Sequence, residues 1–383
     1  MNPTLAPLNH PSDAKSSEEE ESPVLDESDY SELDDPAPLP QPISYSGSDF
    51  DVEGLVRRLT RGDIVVPTFG HQDPTVEAAG FQRNFVWRRA QMDKFIESLL
   101  LGFPIPGIVL VQQADKRYLV LDGQQRLKTL ASFYQGTYAT QVFALKAVAP
   151  ELEGLTYGTL SEAQRRTLNN TFIQAIIVKT DGSIASLDAV YQVFERLNSG
   201  GTQLTGHEIR VALYAGKLID YIAGLNLEPD WRSLYGSISP RLRDQELVLR
   251  IISFFASPGT YKRPLKKYLN DFAANSRDCV NLQLPELSKL FKLACAELSA
   301  AVGPRAFRYQ SKQVNVALTE AIMVGLMRRL EAGHPKPTPK AISEALAKLA
   351  AEPKFLDAIT RSTAVEESVK DRLALATKLF GAA

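Results

Sequence analysis

The chain has 383 residues, 44 % of them hydrophobic, enough for two or three ordinary domains with a sizeable core. Its apolar runs are short and interrupted, so no segment is expected to span a membrane, and Met1-Asn2-Pro3-Thr4-Leu5 lacks the basic-then-apolar pattern of a secretory signal. The net charge of −2 conceals an asymmetry, because residues 1–51 hold 13 acids and one base, leaving 42 bases against 32 acids in residues 52–383. A polyanion-binding body with an acidic arm fits that split. So does a solvated tail that only keeps the protein soluble. The two cysteines, Cys279 and Cys295, form neither a disulfide framework nor a zinc ring and read as buried free thiols, which suits a reducing cytoplasm.

Residues 1–50 are rich in Ser, Pro, Asp and Glu without apolar periodicity, so they are expected to be a disordered acidic tail, with order beginning near Val52. A helix is predicted over 90–101, ending at Gly102, and short strands over 107–112 and 117–121. Residues 124–135 place Leu127, Leu130, Ala131 and Tyr134 on one helical face. Further strands are predicted over 142–147 and 172–178, and a helix over 185–197 with Val190, Val193, Phe194 and Leu197 on one side. Beyond residue 205 the strand signals stop. Thr205 and Glu208 make a capping box for a helix running toward Ala215, with His207 inside it as a surface residue. Helices are predicted over 241–256, 285–301, 312–331, 339–351 and 364–379. The fold class is therefore α+β: a mixed α/β unit over 51–215, then a helical region over 216–383.

The most informative segment is Tyr118-Leu119-Val120-Leu121-Asp122-Gly123-Gln124-Gln125-Arg126-Leu127, a strand ending in an Asp-Gly turn that launches a helix. Free N–H groups and the helix dipole make such an N-terminus a seat for phosphate. Gly123 lets the backbone approach a ligand, Arg126 is suited to phosphate oxygens, and Asp122 to a hydrated magnesium ion. The plain alternative is a capped helix in which Asp122 satisfies the N-terminus and the glutamines are solvated. Upstream, Gln82 and Arg83 offer polar contacts and Trp87 a stacking or core ring. Downstream, Phe194 reads as packing and Asn198 as a left-handed cap. P-loop and Ser-elbow patterns are absent, and His10, His71, His207 and His334 show no metal-ligand spacing.

Taken in order, Gln82-Arg83, Phe85-Val86-Trp87, Pro104-Ile105-Pro106, Asp122–Arg126, Phe194–Asn198 with Gly200-Gly201, and Glu208-Ile209-Arg210 resemble the GmrSD restriction endonuclease N-terminal domain family, over about residues 55–270. The resemblance implies a ParB/sulfiredoxin-like fold and a nucleoside-triphosphate-binding and hydrolysing site, with magnesium as cofactor. Asp122, Gly123, Gln124, Gln125 and Arg126 would form the triphosphate cradle, Gln82 and Arg83 would add contacts, and Phe194 and Asn198 would complete the pocket. It further implies a bacterial anti-phage restriction system that acts on or senses foreign DNA. No Asp-His or His-Asn constellation of an HNH nuclease follows, so a stand-alone member with a partner nuclease subunit is expected, and a homo-oligomer is open. Two other readings stand beside it: a non-catalytic DNA-binding regulatory module, suggested by the basic body, and a ParB-like DNA nickase.

Overall fold

The computed structural model describes residues 42–67, 87–138, 140–197 and 204–382. Strand β1 (Tyr45–Asp51) leads into helix α1 (Val52–Arg61), β2 (Ile64–Val65), α2 (Arg89–Leu100), β3 (Ile108–Gln112), β4 (Tyr118–Asp122) and α3 (Gln124–Gln135). A small hairpin, β5 (Thr137–Tyr138) and β6 (Gln141–Val142), precedes α4 (Glu162–Asn170), β7 (Phe172–Lys179) and α5 (Ile184–Leu197). The remainder is helical: α6 (Gly206–Leu213), α7 (Lys217–Asn226), α8 (Pro229–Tyr235), α9 (Arg243–Ala256), α10 (Leu265–Asn275), α11 (Leu284–Ala301), α12 (Val316–Glu331), α13 (Pro339–Ala351), α14 (Pro353–Thr360) and α15 (Glu366–Gly381). The fold is α+β. Among the described residues no helix is long and apolar enough to cross a membrane.

Five strands form one mixed sheet in the order β1-β7-β3-β4-β2, with β7 and β3 parallel and β3 and β4 antiparallel. Strands β3 and β4 are covered on both faces, whereas β7 leaves Phe172 and Ile176 exposed on one. Leu110, Val120, Ile173 and Ala175 join a core with α1 to α4. Val111, Leu119, Leu121 and Val178 join a second core that continues through the helical half as far as Phe380. This explains why Tyr118–Leu121 reads as an unbroken apolar run: a strand covered on both sides has no polar face to show.

Several expectations change. Residues 1–41 lie outside the described residues, but order begins earlier than Val52, because Tyr45–Asp51 pairs along its whole length with β7. The alternation of Ser, Gly and Asp hides a strand whose Phe50 ring packs edge-on to Tyr118 at 6.4 Å. The strand expected over 142–147 is an extended segment outside the main sheet. Phe143 and Leu145 are buried on alternate positions as in a strand. The N–H groups of Lys146, Ala147 and Ala149, however, donate to carboxylates on α2, Asp93 (3.3 and 3.2 Å) and Glu97 (2.7 Å). Short helices α4, α7, α8, α10 and α14 had no strong sequence signal.

His207 is the sharpest correction. It is 1 % exposed rather than on the surface. Around it runs a chain of ion pairs that stitches four helices together. Arg210 of α6 meets Glu246 of α9 at 3.3 Å, Arg250 meets Glu246 at 2.8 Å and Glu320 of α12 at 3.3 Å, and Arg372 of α15 meets Glu320 at 2.6 Å. Burial pushes the His207 imidazole down to about 3, so it stays neutral among these charges. Burial opposes ionisation of Glu246, but the guanidinium groups of Arg250 and Arg210 outweigh it and hold its carboxyl below the usual range.

Both shifts act in one direction. The unfolded chain takes up a proton at His207 below about pH 6.5 that the folded chain refuses until about pH 3. Stability should therefore fall as pH drops through that window, by about 1.4 kcal/mol per pH unit for the single group. Urea unfolding of His207→Gln between pH 4 and 7 should show a shallower pH slope than the parent chain. An unchanged slope would show that His207 does not drive it.

Candidate functional site

Strand β4 ends at Asp122, and α3 starts two residues later with Gly123 as its N-cap in the left-handed region, φ 95°. An ideal Cβ at Gly123 would sit 2.4 Å from Ile108 Cγ2, so conformation and space both demand glycine. No side chain caps this helix. That disposes of the capped-helix reading: Asp122 does not close the N-terminus. Its Oδ2 accepts instead from Arg126 Nη2 at 2.8 Å, and the same nitrogen donates to the Gly107 carbonyl at 2.8 Å. The Asp122 side chain is 49 % exposed and that of Arg126 14 % exposed, so the carboxylate faces solvent with the guanidinium tucked behind it.

Gln125 is turned by a hydrogen bond its Oε1 accepts from the Trp87 N–H at 3.4 Å, and Trp87 packs edge-on to Phe95 with centroids 5.5 Å apart. Gln124 and Gln125 are half-buried. The structure thus brings Asp122, Gly123, Gln124, Gln125 and Arg126 together on one turn. Gln82, Arg83 and Asn198 lie outside the described residues. Phe194 does not line a pocket: at 1 % exposure it belongs to the core shared with Leu121. Helix α5 packs against β4, and the neighbouring Glu195 is tied to Lys266 of α10 at 3.0 Å. Phe194 thus shares a core with Leu121 of the strand that ends at Asp122.

Residues 68–215 match the family model described as the GmrSD restriction endonuclease, N-terminal domain. Over that stretch the chain is similar to that family. No curated protein and no solved structure matches the chain.

Two residues beside this turn escaped the sequence reading. Gly107 offers its carbonyl to Arg126, and a Cβ there would meet the Gln174 carbonyl oxygen at 2.7 Å. Its place just after Pro104-Ile105-Pro106 was the available signal. Lys128, one helical turn beyond Gln124, is half-buried, and burial lowers the pKa of its ammonium. Glu208 and Arg210 are structural: Glu208 Oε2 accepts from the Thr205 N–H at 2.6 Å and meets Arg241 at 3.3 Å, both inside the fold.

Gly123→Ala should destabilise the chain by about 1–3 kcal/mol through its strained φ and the clash with Ile108. Gly136→Ala also sits at positive φ, 75°, but with nothing within 4 Å of the added Cβ, and should cost less. Urea midpoints of the two variants test the difference. Equal losses would show that the Ile108 contact is not restrictive.

Proposed function

We propose that the GmrSD N-terminal domain of this chain binds and hydrolyses a nucleoside triphosphate at the β4–α3 turn, within a restriction system that acts on or senses foreign DNA. The observation that carries this reading is the helix start behind Gly123, which has no side-chain cap and stands beside the paired Asp122 and Arg126. The N–H groups of Gln124, Gln125 and Arg126 have no intrahelical acceptors at that end, and the helix dipole favours anions there. An entering phosphate replaces Asp122 as the acceptor for the Arg126 guanidinium. The released Asp122 carboxylate then takes a proton from a water whose oxygen bonds to the terminal phosphorus. The bond to the bridging oxygen breaks meanwhile, and nucleoside diphosphate leaves with inorganic phosphate as the second product. Helix N–H groups and the guanidinium stabilise the charge on the equatorial oxygens during transfer. Gln82, Arg83 and Asn198 are proposed to add contacts to the same ligand.

Among the described residues no three His, Cys, Asp or Glu gather as a metal cluster. Asp122 is the one carboxylate of the turn, and its Oδ2 already accepts from Arg126. These residues do not build a resident magnesium site. A magnesium ion fits only as a companion of the triphosphate, with phosphate and water oxygens around it and Asp122 as its protein oxygen.

With triphosphate at 100 times its dissociation constant, the parent chain should gain about 2.7 kcal/mol of apparent stability. Asp122→Ala and Arg126→Ala should each lose phosphate release, and Arg126→Ala should also lose the stabilisation. The double variant turning over triphosphate at the parent rate would dismiss the reading.

A further inference from the structure

Residues 216–383 carry 25 Lys and Arg against 17 Asp and Glu, and within them the stretch between Glu297 and Glu320 holds Arg305, Arg308 and Lys312 with no acid. That stretch includes a braced surface loop. Phe307 anchors its base, fully buried with its ring 5.4 Å from that of Trp231. Arg308 and Val314 bridge across the loop in antiparallel fashion, and the Asn315 N–H donates to the Phe307 carbonyl at 2.8 Å. The Arg308 guanidinium is a strut. It donates to the Leu234 and Tyr235 carbonyls at the end of α8, 2.8 Å each, and to the Lys312 carbonyl at 2.9 Å.

With Arg308 so occupied, the free cations are Arg305 and Lys312, both exposed. Neither forms an ion pair among the described residues. Lys289, Lys292 and Lys354 pair with Glu286, Glu228 and Asp371, whereas Lys262, Lys348, Lys370 and Lys378 are exposed without an ion pair among the described residues. Arg305 and Lys312 differ from these in lining one hollow that has no acid. Arg305, Arg308, Gln310, Ser311 and Lys312 line an open hollow of about 550 Å³. None of these side chains is anionic. The Ser311 hydroxyl donates to the Gln313 carbonyl and the Gln310 amide to the Tyr309 hydroxyl, so Arg305 and Lys312 are the main open donors.

We propose that this hollow is a contact surface for the phosphodiester backbone of duplex DNA, separate from the β4–α3 turn. An open hollow leaves a single small anion hydrated and weakly held. A polyanion gains there because each phosphate neutralised by Arg305 or Lys312 releases condensed counterions, and no acid in the hollow opposes it. The proposal goes beyond the nucleotide reading and does not require turnover. Its single link to that reading is that the polyanion is DNA.

The test is fluorescence anisotropy of a labelled 30-base-pair duplex with the full chain across a salt series. Arg305→Gln with Lys312→Gln should weaken binding at least tenfold in low salt and reduce the slope of log affinity against log salt by about 2, roughly 0.9 per lost phosphate contact. Arg305→Lys with Lys312→Arg, which preserves both charges, should keep the parental slope. The urea midpoint of the Gln variant should match the parent because both side chains are exposed. Unchanged affinity and slope in the Gln variant, or no duplex binding by the parent chain at low salt, would overturn the proposal. So would polyglutamate displacing the duplex at equal charge concentration, since the surface would then read acidic peptide rather than phosphate.

Discussion

A single guanidinium nitrogen, Arg126 Nη2, ties the end of β4 to the beginning of β3 by donating to both Asp122 and the Gly107 carbonyl. That link sets the direction in which α3 leaves the sheet. Ile108 closes the remaining space, so that only a glycine at 123 can make the turn. Helices α1, α4, α6, α12 and α13 receive side-chain caps from Asp51, Ser161, Thr205, Asn315 and Thr338. Helix α3 begins with a glycine, and its acid is turned toward its own arginine. Its first N–H groups thus have no side-chain acceptor, as is also the case at the starts of α7 to α11 and α15.

The turn needs a stiff support, and the sheet supplies it. A strand buried on both faces cannot shift without disturbing two cores at once. One side of β4 is held by α1 to α4. The other is held by the core that begins with Val111 and Leu121 and runs on through the helical half. The buried chain from Arg210 to Arg372 spans that half. Its members contribute less through net attraction, since desolvation offsets most of it, than through the cost of leaving any one of them unpaired.

The same logic explains why several residues of the resembling motifs lie in the interior. Phe194 lies in the core with Leu121, and Glu195 pins α5 to α10. Glu208 closes its own capping box, and Arg210 enters the ion-pair chain. Each is a packing or pairing constraint on the elements beneath Asp122. Asp122, Gln124 and Gln125 stay partly exposed at the turn, and the Arg126 guanidinium, 14 % exposed, stands between them and the interior.

Much of this was legible in the residues alone because it is local. The 124–135 helix, the Thr205–Glu208 box and the two-sided burial of Leu119 to Leu121 follow from periodicity, capping and hydrophobicity within a few positions. What tertiary structure alone decided involves partners far along the chain. Residues 143–149 alternate like a strand, yet their N–H groups find Asp93 and Glu97 about fifty residues away. His207 looks like a surface residue until Glu246 and Arg250 close over it. Tyr45–Asp51 becomes a strand only because β7 offers it an edge. Arg126 was marked as a ligand group, but its grip on Gly107, 19 positions earlier, came from the meeting of two strands. Short-range patterns specify which elements form; which polar group meets which depends on chain segments that sequence spacing does not bring together.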